Sequence, residues 1–171
     1  MGRLTIIQGG ASRRPSGKKM KVKALLYSDG SERSLSAAIY TAVMMKADPT
    51  MEVTVVTITK TGPDVSWDGW FDSTAFEGIG QDILTRTRKI FEARKLDVRT
   101  IEEIENDKIA RQIVDYADKG GYNMIIMRTK GPSELRALFQ GSLAYDVVQL
   151  STCPVLLVRK LPDEMLACLE D

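Results

Sequence analysis

The sequence predicts an α/β domain: a doubly wound, five-stranded parallel sheet in the order 3-2-1-4-5 with helices on both faces. Three observations point there. Five short runs rich in apolar and β-branched residues recur along the chain, four segments with apolar residues at helical spacing separate them, and Gly, Asp, Asn or Ser residues punctuate the junctions. Strands separated by helices of this length most simply run parallel, with right-handed crossovers.

Each element has its own signal. Val22 to Tyr27 is a largely apolar run bounded by Ser28-Asp29-Gly30, which suits a buried strand ending in a turn. Leu35, Ala38, Ile39, Ala42 and Val43 then repeat at helical spacing, with Ser31 as the N-cap and Asp48-Pro49 as the stop. Val53, Val55, Val56 and Ile58, interleaved with Thr54, Thr57 and Thr59, form the second strand. A loop from Lys60 to about Ser73 leads to a helix marked by Ile79, Ile83, Ile90 and Phe91. Val98 to Ile104 is the third strand, and Asn106-Asp107 caps a helix carrying Ile109, Ile113, Tyr116 and Ala117 that ends at Gly120-Gly121. Met124 to Met127 is the fourth strand. Gly141-Ser142 opens a helix with Leu143, Val147 and Leu150 on one face, and Val155 to Val158 is the last strand.

The chain has 171 residues, long enough for one well-buried core, and 43% apolar against 27% charged residues, the balance of a water-soluble domain. Residues 1–19 hold five basic residues, no acid, four glycines and a proline, which predicts a flexible basic tail; such a tail can touch nucleic acid or anionic surfaces, but a leader, or a start placed ahead of Met20, is the favoured reading. Without that tail the formal charge falls from +1 to about −4, so the body is mildly acidic and no specific nucleic-acid partner is expected. The domain proper is expected over residues 20–160, followed by a short C-terminal tail over 161–171.

Histidine is absent, which removes Ser-His-Asp and Cys-His nucleophile pairs and His-Glu-x-x-His zinc hydrolysis. Cys153 and Cys168 are too few for an all-cysteine zinc site or a disulfide framework, and this usage suits a reducing compartment; the expectation is cytoplasmic, with no metal. No apolar run approaches the roughly 18 residues that would span a bilayer, so no membrane association is expected. Several nucleotide motifs also fail. A Walker A loop ending at Lys19 would need glycine where Ser12 stands and a hydroxyl at Lys19; Gly78-Ile79-Gly80 has Ile83 where a third glycine belongs; a receiver domain would need acids clustered at neighbouring strand ends, where only Asp29 stands.

In a doubly wound sheet the ligand site lies beyond the carboxyl ends of the strands where the winding reverses, which directs attention to the loops after the first and fourth strands. There the chain reads Met127-Arg128-Thr129-Lys130-Gly131, then nine residues, then Gly141-Ser142. A glycine leaving a strand lets backbone approach an anion, and a Gly-Ser pair opening a helix offers free N–H groups and a hydroxyl. Together they describe a phosphate cradle, although glycines at loop ends and serines at N-caps are also ordinary structural devices.

From Lys21 to Arg159 the chain resembles a universal stress protein domain. The resemblance rests on Asp29 in Tyr-Ser-Asp-Gly-Ser, on Asn-Met-Ile-Ile-Met as the fourth strand, on the Gly131 to Gly141-Ser142 spacing, and on the closing Ser-Thr-Cys-Pro-Val-Leu-Leu-Val-Arg. It implies a stress-response protein, not an enzyme, that takes ATP or a related adenine nucleotide as a signal. By similarity Asp29 would lie near the adenine, Ile58 and Met127 would be apolar walls, and Gly131, Gly141 and Ser142 would hold phosphates. Each has a plainer reading: Asp29 as a turn residue, Met127 as core, Ser142 as an N-cap. The chain departs from the family pattern where Arg128 replaces the first motif glycine. Its side chain either fills the crevice, leaving a dimeric interaction module without nucleotide, or swings out and pairs with phosphate oxygens. Lys130 and Arg136 add positive charge near the same rim.

Two further features stand outside that motif. The loop holding Trp67, Trp70 and Phe71 either folds back as a satellite apolar cluster or forms a lid or docking patch. The last strand, Val155, Leu156, Leu157 and Val158, is expected at the sheet edge, where a fully apolar strand needs cover. Pairing with a second copy would supply it, and the resemblance implies a homodimer through this strand.

Overall fold

Alternation along each strand sorts the side chains into two buried layers, and this sorting builds the molecule. The computed structural model describes residues 20–59, 78–104, 108–129, 143–159 and 161–162. In chain order the elements are β1 (Lys23–Tyr27), α1 (Glu32–Ala47), β2 (Glu52–Thr59), α2 (Ile79–Glu92), β3 (Arg99–Ile104), α3 (Ile109–Gly120), β4 (Met124–Arg128), α4 (Leu143–Leu150) and β5 (Val155–Val158). The strands form one sheet in the order β3-β2-β1-β4-β5 with every neighbouring pair parallel, as the alternation of elements requires.

Ala24, Leu26, Val53, Val55, Ile126 and Val158 face α1 and α2, while Leu25, Tyr27, Val56, Ile58, Ile125 and Met127 face α3 and α4. Because both faces are covered, the central strands tolerate no charged residue between their ends. α1 meets the sheet through Ser34, Ala37, Ala38, Thr41 and Ala42, small residues that let its backbone approach closely, so the expected stripe through Leu35 and Ile39 lies to one side and only half-buried.

Several expected details shift. Val22 and Val98 fall just before β1 and β3, although the carbonyl of Val22 still accepts from the N–H of Glu52. β4 runs one residue further than expected, to Arg128. α2 buries Gly80, Leu84, Thr87 and Phe91 and leaves Ile79 exposed. Leu150 is likewise exposed, because α4 turns Ala144 and Val147 to the core. Lys108 takes the cap position of α3; Asn106 and Asp107 lie outside the described residues. Ser31 caps α1 as expected, its hydroxyl accepting from the N–H of Ser34 at 3.2 Å. Asp48 ends the helix, its N–H donating to the Met44 carbonyl. Gly121 ends α3 with φ +64°, a left-handed conformation that other residues adopt at a cost of roughly 1–2 kcal/mol.

Asn123 closes the amino end of the central β1–β4 pair. Its carboxamide oxygen accepts from the backbone N–H of Lys23 at 2.9 Å, its Nδ2 donates to the carbonyl of Lys21 at 2.8 Å, and its own N–H donates to the carbonyl of Lys23. One side chain thus extends the ladder ahead of the first strand residues. Replacing it with alanine (N123A) leaves two backbone groups without their partner, and we expect a loss of about 1–2 kcal/mol, read as a lower urea midpoint at unchanged slope.

Candidate functional site

The reversal in strand order sits between β1 and β4, so their carboxyl ends lie side by side there. After β1 the chain turns through Ser28, Asp29 and Gly30 into α1. Gly30 has φ +74°, and a Cβ at this position would stand 2.7 Å from Ile83 of α2, so both backbone conformation and space call for glycine. Ser28 is fully buried; its hydroxyl hydrogen-bonds that of Thr87 at 2.9 Å and donates to that of Ser34 at 3.3 Å, tying the turn to α2 and α1.

Asp29 has two engagements. Its Oδ1 accepts from the N–H of Ser31 at 3.1 Å and from the Ser31 hydroxyl at 2.6 Å, the local turn that the plainer reading of this residue anticipates. Its Oδ2 accepts from Nε of Arg128 at 2.6 Å, an ion pair spanning β1 to β4 with each side chain about 25% exposed. Burial alone would raise the Asp29 pKa, but the hydrogen bonds from Ser31 and Arg128 and the guanidinium charge outweigh it, and the carboxyl titrates below its usual value.

Arg128 is an ordinary strand residue in its backbone, paired with Val158 and outside the positive-φ positions, so the departure from glycine is felt only through the side chain. In the structure its side chain lies against Asp29. Its terminal nitrogens make no hydrogen bond to any described residue. Ile58 and Met127 lie near the carboxyl ends of β2 and β4 in one buried cluster with Tyr27, and both side chains are nearly sealed from solvent. Gly131, Gly141 and Ser142, with Lys130, Arg136 and the Trp67/Trp70 loop, lie outside the described residues.

Arg86 of α2 was not legible in the sequence. Its Nη2 donates to the carbonyl of Gly30 at a long 3.4 Å, so guanidinium groups from α2 and β4 bracket the β1–α1 turn. No local spacing signals it, because the contact joins residues 56 positions apart. The grip of Ser31 on Asp29, by contrast, is implicit in Ser-Asp-Gly-Ser, where an Asx turn and an N-cap overlap.

The model of the universal stress protein family matches residues 23–159. A universal stress protein of Methanocaldococcus jannaschii is 29% identical over 151 residues, covering 85% of this chain and 86% of that protein. The Bacillus subtilis universal stress protein YxiE is 30% identical over 141 residues, covering 77% of this chain and 93% of its own length. Among solved structures, the universal stress protein from Archaeoglobus fulgidus in complex with dAMP superposes with a TM-score of 0.59 at 18% identity, over 80% of this chain and 97% of that one.

The Asp29 titration yields a measurable consequence. Its folded pKa lies below the ordinary 3.8, so the stability it contributes is fully present above that value and lost as pH falls through the folded value. We expect wild type to exceed Asp29→Asn by on the order of 1 kcal/mol near neutrality, and the gap to close in strong acid. Paired urea melts across that pH range check this; a gap independent of pH would contradict it.

Proposed function

The chain belongs to the universal stress protein family, and from that premise we propose a stress-response protein that binds an adenine nucleotide as a signal, without rapid turnover, at the carboxyl end of its sheet. The observation behind this reading is the contact between Asp29 and Arg128, which joins the turn after β1 to the end of β4 at the point where the strand order reverses. A relative of the same fold holds dAMP. The composition supports slow turnover, since with no histidine the most common base near neutral pH is missing.

The same ion pair favours a second reading, in which Arg128 fills the crevice and the protein acts as an interaction module without nucleotide. Magnitude supports the first. A pair this exposed contributes about 0–1 kcal/mol, whereas micromolar binding supplies about 8 kcal/mol, so displacing Arg128 weakens a nucleotide several-fold and does not exclude it. Millimolar ATP is expected to raise the melting temperature of the full chain by mass action and to give a calorimetric binding signal. Silence in both measurements would leave the interaction module.

The proposed setting is the cytoplasm; among the described residues no helix is long and apolar enough to cross a membrane. The proposed partner is a second copy joined through Val155, Leu156, Leu157 and Val158. β5 forms one edge of the sheet, Leu157 is 37% exposed, and a groove of about 420 Å³ lined by Tyr40, Leu156, Leu157 and Leu161 runs beside it. Edge pairing would satisfy the open backbone groups and cover this apolar surface. Light scattering is expected to return twice the chain mass for wild type and the single mass for Leu157→Lys; a monomeric wild type would refute the pairing.

A further inference from the structure

In the Asp29–Arg128 pair the carboxylate is also tied down locally, whereas the guanidinium is the end of a long side chain held through one nitrogen. Asp29 is held by two hydrogen bonds from Ser31, whose hydroxyl also caps α1, so moving this carboxylate would loosen a helix terminus. Arg128 is tied to Asp29 through Nε, with its terminal nitrogens unused by any described residue. When the pair opens, the guanidinium moves and the carboxylate stays.

What a ligand can offer the displaced guanidinium then determines how well it binds. An uncharged nucleoside provides no anion, so Arg128 loses a charge-assisted hydrogen bond and gains none of equal strength. A phosphate chain supplies oxygens that accept the planar fork in two parallel bonds, an exchange of one anionic partner for another with more acceptors. Because a strand backbone carries Arg128, this discrimination requires no rearrangement of the sheet.

We infer that Arg128 is a specificity-determining residue through which the crevice reads ligand charge: the guanidinium passes from Asp29 to phosphate oxygens, favouring polyphosphates over uncharged nucleosides. The inference deepens the nucleotide reading above and rests on it. Its signature is a ladder of affinities, ATP above AMP above adenosine, steeper in wild type than in a variant without the cation.

Calorimetry with ATP, AMP and adenosine on the full-length wild type, Arg128→Gly and Arg128→Lys measures the ladder. The ATP-to-adenosine affinity ratio is expected to drop roughly tenfold or more in Arg128→Gly, the scale of one charge-assisted pair, with adenosine binding equal or improved and Arg128→Lys intermediate. The same ratio in wild type and Arg128→Gly would overturn the inference while leaving nucleotide binding intact. Tripolyphosphate, which has no base, separates the two claims: it is expected to raise the melting temperature of wild type and not of Arg128→Gly. Equal shifts in both proteins would contradict the role of Arg128, and absence of binding by all four ligands would remove the nucleotide reading together with it.

Discussion

The pairing of β1 with β4 holds the rest of the molecule together. It joins the β1-β2-β3 half of the sheet to the β4-β5 half, and it brings together residues about 100 positions apart. Leu25, Leu26, Ile125 and Ile126 are wholly buried along this seam, each contributing about 1.5–3 kcal/mol against exposure. The polar contacts at its ends contribute less and act differently. Asn123 closes the amino end with three hydrogen bonds and the Asp29–Arg128 pair bridges the carboxyl end, so alternating burial drives the strands together in register while polar groups complete the two ends of the seam.

Asp29 shows how much one short side chain can organise. The same carboxylate completes the turn after β1, steadies the residue that caps α1, and holds the cation that projects from β4. Gly30 makes this possible by adopting a left-handed conformation against Ile83, and the buried hydroxyls of Ser28, Ser34 and Thr87 tie the turn to two helices. A carboxylate anchored on the β1 side and a long side chain from β4 meet at one hydrogen bond.

The alternation of strands and helices and the burial of both sheet faces were legible in the sequence because a parallel sheet forces near-continuous apolar runs such as Ala24 to Tyr27 and Met124 to Met127. Helix faces were read less well. Leu35, Ile79 and Leu150 invite assignment to the core by hydrophobicity, yet α1 packs through alanine, serine and threonine, and small residues leave a weak periodic signal. At the site, Asp29 and Arg128 were identifiable individually, and their topological neighbourhood followed from the reversal of winding. That they bond was not, because a side-chain rotamer depends on partners distant in sequence. Arg86 was missed for the same reason.

The central position of β1 also has a consequence during synthesis on the ribosome. Until residues through Arg128 have emerged, β1 can be paired only by β2, leaving the side meant for β4 as an open, apolar edge. Translation at roughly 5–20 residues per second makes that interval last on the order of seconds, long compared with local collapse. The nascent chain therefore passes through a sticky half-sheet, and any chaperone that protects it would act on that exposed flank, which the finished protein hides entirely.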